Sequence, residues 1–122
     1  MTAKTSAYRI TAALVLHPDG TLYEVNLKPG RTHLELMREH LNCQRVDVVA
    51  LTDKVDMWID DEGEYNHPVN PLATRLARHH GFTWQPYHGP VLLCGVDNDG
   101  HSIDLDVDQM RALLTHLADL VA

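Results

Sequence analysis

Hydrophobic and polar positions follow two different periods along the chain. Three segments alternate with a period of two, or run continuously apolar for a few residues, and each contains a turn signal. The turn signals are Pro18-Asp19-Gly20-Thr21, Thr52-Asp53 and Asp97-Asn98-Asp99-Gly100. The pattern therefore predicts three β-hairpins, at 8–27, 46–60 and 91–104.

Between the hairpins, apolar residues recur every three or four positions, which is typical of amphipathic helices. The first such helix starts at a capping box formed by Thr32 and Glu35. In this motif the threonine hydroxyl accepts from a backbone N–H, and the carboxylate reaches back to the cap. The helix is predicted to end near Asn42. Its apolar face carries Leu34, Met37 and Leu41.

Two further helices have clear start signals. Asn70 is an N-cap, and Pro71 follows it at the first helical position, where the missing N–H costs nothing. Gly81 is suited to end that helix. The last helix begins at a capping pair, Asp106 and Gln109. The apolar stripes are Leu72, Ala73, Leu76 and Ala77 in the first of these helices, and Met110, Leu113, Leu114, Leu117 and Leu120 in the last.

The order of hairpins and helices predicts an α+β fold. We expect a mainly antiparallel sheet built from hairpins, with about three helices packed on one face. The 122 residues fit a single domain, 1–122, with a loose polar N-terminus at 1–6. No apolar run approaches the about 20 residues needed to cross a bilayer, and no apolar stretch of signal-peptide length follows the polar N-terminus. A cytoplasmic location is therefore expected.

The charge balance narrows the class of partner. The formal net charge is −7, whereas nucleic acids and anionic membranes are bound by basic surfaces. We therefore expect neither nucleic acid nor membrane as a partner. An acidic surface permits docking on a basic protein, and a homodimer is the other expected assembly.

Three aromatic residues are candidates for a partner-binding surface. Trp58 falls on the polar face of its strand, opposite Met57 and Ile59, and Trp84 and Tyr87 lie in a loop that contains Pro86. Exposed aromatic side chains are favoured anchors in protein interfaces. The alternative for each is that it covers the edge of the core, because tryptophan is partly buried in most folds.

Polar residues in the same part of the chain are candidates for a ligand pocket. They are Asp60, Asp61, Glu62, Asn70 and His88. Paired carboxylates can bind a cation or perform acid–base chemistry, although an acidic turn is also commonly just solvated. No serine, cysteine or lysine stands beside them as an evident nucleophile, and no phosphate-binding glycine loop is present. No catalytic residue is therefore assigned.

Histidine is abundant, with nine residues, but the spacing does not indicate a metal site. His67, His79, His80 and His88 fall within one segment, yet no Cys-x-x-Cys, His-x-x-x-His or HExxH motif is present. We expect the adjacent His79 and His80 to point to different helix faces, so that at most one could join a zinc site. They also favour a helix C-terminus electrostatically. No metal or other cofactor is predicted.

Two other features resemble binding motifs only superficially. Asp97 to Gly100 is similar to part of a calcium loop, but Gly95 and Asp106 stand where an acidic first ligand and a glutamate are needed. A hairpin turn is therefore favoured there. Cys43 and Cys94 lie in or beside apolar patterns and are expected to be free, buried thiols.

Four short motifs of the C-terminal part occur in an order that resembles a known family. They are Met-Trp-Ile-Asp-Asp-Glu-Gly from Met57, Asn-Pro-Leu-Ala-Thr from Asn70, Gly-Pro-Val-Leu-Leu-Cys-Gly from Gly89, and Asp99-Gly100. This order resembles an uncharacterised family of actinobacterial, plasmid and phage proteins, the domain of unknown function 3846. The resemblance covers roughly the C-terminal half to two-thirds, and the segment Phe82–His88 departs from it as a long insert. It implies no known activity, but suggests a small accessory protein of a mobile element inside a bacterial cell.

Two functions are consistent with these features. The first is a non-enzymatic interaction module of phage or plasmid origin that modulates a host protein. The second is a small-molecule or nucleotide-binding protein, or a weak hydrolase, with an acidic and histidine-lined pocket. A concave pocket where carboxylates and histidines converge would support the second function, and a flat or convex patch bearing Trp58 or Trp84 would support the first.

Overall fold

The computed structural model describes residues 11–27 and 33–121. This part of the chain forms a six-stranded sheet and four helices. The strands are β1 (Ala13–Leu16), β2 (Leu22–Val25), β3 (Val46–Ala50), β4 (Val55–Asp60), β5 (Val91–Val96) and β6 (Ser102–Ile103). The helices are α1 (His33–Leu41), α2 (Gly63–Asn66), α3 (Pro71–His79) and α4 (Val107–Val121).

The sheet is built from the three predicted hairpins. β1 pairs with β2, β3 with β4, and β5 with β6, all antiparallel. The strand order is β2-β1-β5-β4-β3, so the third hairpin supplies the central strand. β4 pairs along one edge of β5, and β1 and then β6 pair along the other. The α+β class and the antiparallel sheet are confirmed.

The helices cover both faces of this sheet, so the expectation that they lie on one face is wrong. Leu93 and Met57 pack in a core under α3 and α4. Leu92 and Val15 pack in a second core under α1. Leu92 and Leu93 are neighbours on β5, and both are fully buried. Because successive residues of a strand point to opposite faces, the central strand needs a covering layer on each side.

Two of the predicted helix starts are confirmed by their hydrogen bonds. The Ala73 N–H donates to Asn70 Oδ1 over 3.1 Å at the start of α3. At α4, the Gln109 N–H donates to Asp106 Oδ1 over 2.7 Å, and the Asp106 N–H donates to Gln109 Oε1 over 2.9 Å. These bonds satisfy backbone donors that the first turn of a helix leaves free.

Other local predictions differ from the structure in part, or concern residues outside the described ranges. The buried residues of α1 are Leu36, Met37 and Leu41, while Leu34 is 39% exposed. Short α2 was not predicted. The predicted cap Thr32 and the N-terminus 1–6 lie outside the described residues. No helix in the described ranges combines the length and the apolar character needed to cross a membrane.

Candidate functional site

A cleft of about 210 Å³ lies where β4 ends, between α2 and the segment that precedes β5. We call it the acidic cleft. Its lining residues are Ile59, Asp60, Asp61, Gly63, Glu64, Gln85, Pro86, Tyr87 and His88. Three of them are carboxylates, and none is a lysine or an arginine. The cleft therefore offers a site with a negative potential.

Asp60 forms the floor of this region and is held by groups of its own loop. Its Oδ1 accepts from the Glu62 N–H over 2.8 Å, and its Oδ2 accepts from Asn66 Nδ2 over 3.3 Å. His67 Nε2 lies 3.1 Å from Asp60 Oδ2, but the two groups are not aligned for a hydrogen bond. Asp60 is only 4% exposed. These contacts make it an anchor of the turn after β4 rather than a free carboxylate.

The opposite wall is attached to the start of α3. The Asn70 N–H donates to the Tyr87 carbonyl over 2.8 Å, and the Tyr87 N–H donates to Thr74 Oγ1 over 2.9 Å. His88 pairs with Val69 as an isolated antiparallel bridge. The Nδ1 of His88 lies 3.0 Å from the His67 carbonyl oxygen. A carbonyl only accepts, so Nδ1 is the donor in this bond.

Two glycines allow the two walls to approach each other closely. A Cβ at Gly63 would lie 2.8 Å from the His88 carbonyl oxygen. A Cβ at Gly89 would lie 2.7 Å from the His67 ring, and Gly89 has a φ of +82°. Only a residue without a side chain fits both positions without displacement. The cleft geometry therefore depends on Gly63 and Gly89, both of which belong to motifs of the family resemblance.

Three of the five predicted ligand-binding residues line the acidic cleft: Asp60, Asp61 and His88. Glu62 instead lines a neighbouring open hollow, together with Arg38 and Asn66. Asn70 is fully buried and does not line the cleft. It caps α3 and donates through Nδ2 to the carbonyl oxygens of Leu16 and Gly89, over 3.0 and 2.9 Å. Asn70 is therefore a structural support of the cleft wall.

Sequence reasoning missed Glu64 and Gln85 as cleft residues. Glu64 continues the acidic turn of Asp60, Asp61 and Glu62, and this run was the available signal. Gln85 gave no signal, because its place opposite α2 depends on contacts between residues far apart in the sequence.

The three predicted aromatic anchors have different environments. Trp84 is 69% exposed, and its ring meets Phe82 edge to face at a centroid distance of 5.3 Å. Tyr87 is only 3% exposed and belongs to the core under α3, so the expectation that it is exposed is wrong. Backbone hydrogen bonds of Tyr87 with Asn70 and Thr74 hold this residue against α3. Tyr65, which was not predicted, is 82% exposed on α2.

Trp58 is half-buried against the second core, under the layer that includes α1. Its Nε1 is buried, lies near the Cys94 thiol and has no well-formed hydrogen bond with a described residue. Its position therefore matches the alternative in which it covers the edge of the core.

Both cysteines are free, as expected, but only Cys94 is buried, and Cys43 is half-buried. Burial raises the pKa of the Cys94 thiol to about 12 and that of the Cys43 thiol to about 11. The nearby Asp60 carboxylate adds to the second shift. A thiolate is the reactive form of cysteine, so neither side chain is a nucleophile at neutral pH.

Asp97, Asp99 and His101 bring one potential ligand atom each within 4.8 Å of one another at the β5–β6 turn. The Oδ1 of Asp97 accepts from the Asp99 and His101 backbone N–H groups over 2.9 and 2.8 Å. The bond from the His101 N–H is the main reason that the pKa of Asp97 is lowered. These bonds close the predicted hairpin turn.

A second group of polar side chains lies at the other end of α3. His79 and His80 both approach His116 of α4. The expectation that the two adjacent histidines diverge is therefore wrong. His80 follows the last residue of α3 and has a φ of −96° and a ψ of 13°, so helical geometry no longer sets its direction. We call His79, His80 and His116 the histidine cluster.

Comparison with known proteins gives one match. No curated protein and no solved structure matches the chain significantly. The model of the family described as "Domain of unknown function (DUF3846)" matches residues 10–118. The resemblance of the C-terminal motifs thus extends over most of the chain, and the protein belongs to the DUF3846 family.

Proposed function

We propose that this protein is a non-enzymatic interaction module that takes a cationic segment of a partner protein into the acidic cleft. One observation carries the proposal: the exposed carboxylates of Asp61 and Glu64 line a cleft that has no lysine or arginine, and the exposed Trp84 directly precedes the lining residue Gln85. A lysine or arginine side chain of the partner would enter the cleft, and Trp84 would pack against the segment that carries it.

Charge supports a cationic occupant. Asp61 and Glu64 are exposed, and neither forms an ion pair with a described residue. An unpaired carboxylate at the mouth of a concave site attracts a positive group and steers its approach. The net charge of −7 acts in the same direction over a longer range.

The aromatic side chains support a protein as the source of that cation. Tyr65 and Trp84 are the most exposed large apolar side chains of the described residues, and each is next in sequence to a residue that lines the cleft. Tryptophan and tyrosine dominate the binding energy of many interfaces. They also attract cations to their ring faces, by about 0.5–2 kcal/mol.

The rigidity of the cleft favours binding over catalysis. Asp60 is held by a bond from its own loop and His88 by a bond to the His67 carbonyl, and the lining residues include no serine, threonine, cysteine or lysine that could act as a nucleophile. A preformed cleft loses little entropy when a partner docks. The mobile-element setting that the family resemblance suggests would make the partner a protein of the bacterial host.

A second candidate function is the binding of a small amine. The cleft is concave, and it brings Asp60, Asp61 and His88 together, which is the arrangement expected of a ligand pocket. Its volume is below the about 300–1,000 Å³ of common small-molecule sites. A nucleotide is disfavoured, because its phosphates would meet the carboxylates. A small amine would use the same residues without Trp84.

The test uses labelled peptides of one length in which arginines are replaced stepwise by glutamines. We expect affinity to rise with the number of arginines and to fall with salt. The double variant Asp61→Asn/Glu64→Gln should weaken binding by about tenfold or more. The matched control is Asp108→Asn/Asp119→Asn, which removes the same charge from exposed positions of α4. Equal losses in the two double variants would contradict the cleft as the site.

Trp84→Ala separates the two candidates. We expect this substitution to weaken peptide binding, while Leu114→Ala, at another exposed apolar position, should not. If arginine amide binds as tightly as any peptide, and Trp84→Ala changes nothing, the small-amine function is the correct one.

A further inference from the structure

The histidine cluster places three imidazole rings together on the side of the molecule that bears α3 and α4. The ring centroids lie 4.2 Å apart for His79 and His116, 5.5 Å for His79 and His80, and 6.1 Å for His80 and His116. Among the described residues, these rings contact one another and make no side-chain hydrogen bond. Their nitrogen atoms are therefore available to a ligand.

Packing of the two helices fixes the positions from which the rings project. Arg75 Nη1 donates to the Leu120 carbonyl oxygen over 3.0 Å. One helical turn further along α3, His79 meets His116, one turn earlier on α4. The two helices therefore run antiparallel, and buried residues of both join the same core.

We propose that His79, His80 and His116 bind one divalent transition-metal ion of the class that prefers imidazole, such as Zn²⁺, Ni²⁺ or Cu²⁺. Three imidazoles bound tetrahedrally, with metal–nitrogen distances of about 2.0–2.1 Å, have ring centres roughly 5 Å apart. The observed separations of 4.2 to 6.1 Å lie around that value. The fourth position would be open to water.

Binding requires the rings to turn, and their environment allows it. The three ring nitrogens do not yet lie within 4.8 Å of one another, and the rings are inclined at 67° to 80°. His79 is exposed, and His80 and His116 are half-buried, so rotation displaces solvent rather than core side chains. Rotation of imidazoles at a surface costs little compared with a metal–nitrogen bond.

An apolar crevice borders the histidine cluster on one side. His80 and His116 line this crevice of about 180 Å³ together with Leu51, Val55 and Leu113, among others.

The test titrates untagged protein with Zn²⁺ alone, and separately with Ni²⁺ alone, by isothermal titration calorimetry. We expect one equivalent to bind and to raise the unfolding temperature, because the metal links α3 to α4. His79→Gln and His116→Gln should each weaken binding by more than about tenfold. The matched control is His101→Gln, whose side chain belongs to the exposed group of Asp97 and Asp99.

Two results would overturn the proposal. One is the absence of both heat and thermal stabilisation with either metal in the unchanged protein. The other is an equal or larger loss of binding in His101→Gln than in His79→Gln, which would assign the metal to the β5–β6 turn. His79 is exposed, so we expect His79→Gln to fold normally. A loss of metal binding in this variant can then be compared directly with that in His101→Gln.

Discussion

The polar side chains at the two ends of helix α3 differ in burial and in hydrogen bonding. At the start, Asn70 is fully buried and makes bonds to α3, to β1 and to the segment before β5. At the end, His79 and His80 meet His116 but make no side-chain hydrogen bond with a described residue. The first end uses its polar groups within the chain, and the second leaves them to solvent or to a ligand.

The physical reason is burial. A buried amide without partners costs about 1–3 kcal/mol for each unsatisfied group, so Asn70 must be satisfied within the fold. The three imidazoles are exposed or half-buried, so solvent can reach them and no partner within the fold is required. The start of α3 therefore holds the wall of the acidic cleft in place through the bonds of Asn70. The end of α3 carries imidazoles that can bind protons or a metal ion.

The largest expected change in the free energy of unfolding follows from replacing the buried amide of Asn70. Asn70→Ala removes the cap of α3 and the amide donor to the Leu16 and Gly89 carbonyl oxygens. The free energy of unfolding, measured in urea, should fall by about 3 kcal/mol or more. The control Asn98→Ala, at an exposed turn, should cost less than about 1 kcal/mol. Similar losses in both variants would contradict the structural role of Asn70.

The second largest loss of stability is expected where the walls of the acidic cleft approach each other closely, at Gly89. Gly89→Ala places a Cβ 2.7 Å from the His67 ring at a φ of +82°, while Gly100→Ala has nothing within 4 Å at a φ of +85°. Both variants carry the left-handed penalty of about 1–2 kcal/mol. Gly89→Ala should lose about 1–3 kcal/mol more, because its side chain overlaps a neighbour. Equal unfolding free energies would show that the walls can separate freely.

A smaller effect is expected from protons at the histidine cluster. Burial and the two neighbouring rings lower the pKa of His80 in the folded protein. The folded state then binds fewer protons than the unfolded state, so the free energy of unfolding is highest above a pH of about 6.5 and falls as the pH drops through the lowered pKa. In the presence of a chelator, His80→Gln should flatten this dependence. An unchanged pH dependence in His80→Gln would contradict a contribution of His80 protonation to the stability of the folded state.

The smallest effect on stability is expected at Trp84, which lies in the chain between the end of α3 and the cleft wall. It is largely exposed, so Trp84→Ala should change the free energy of unfolding by less than about 0.5 kcal/mol. A loss as large as that of Gly89→Ala would show that Trp84 supports the fold, and binding data on this variant would then need reinterpretation. Urea unfolding of the two variants side by side provides the measurement.

Several features of the fold could be predicted because they depend on neighbours in the sequence. The turn Asp97–Gly100, the cap Asn70 and the pair Asp106 and Gln109 form bonds over two or three residues. Short-range geometry of this kind is decided by local residue types. The acidic turn at 60–62 likewise indicated the position of the cleft.

The covering of the sheet on both faces also leaves a signal in the sequence. The run Val91–Val96 is continuously apolar, and a strand that is apolar on both faces indicates two covering layers. The helix α1 supplies the second layer. The same layer covers Trp58, which pattern analysis had placed on a polar face.

The sequence alone determined the hairpins, the helix starts, the antiparallel class and the acidic character of this protein, because each depends on local bonds, periodicity or a sum of charges. Only the tertiary structure decided that Tyr87 is buried, that Asp60, Asp61 and His88 line one cleft, and that His79, His80 and His116 meet. These arrangements join residues up to 37 positions apart, from His79 to His116. They follow from how strands and helices pack in three dimensions, which no local pattern of residues encodes.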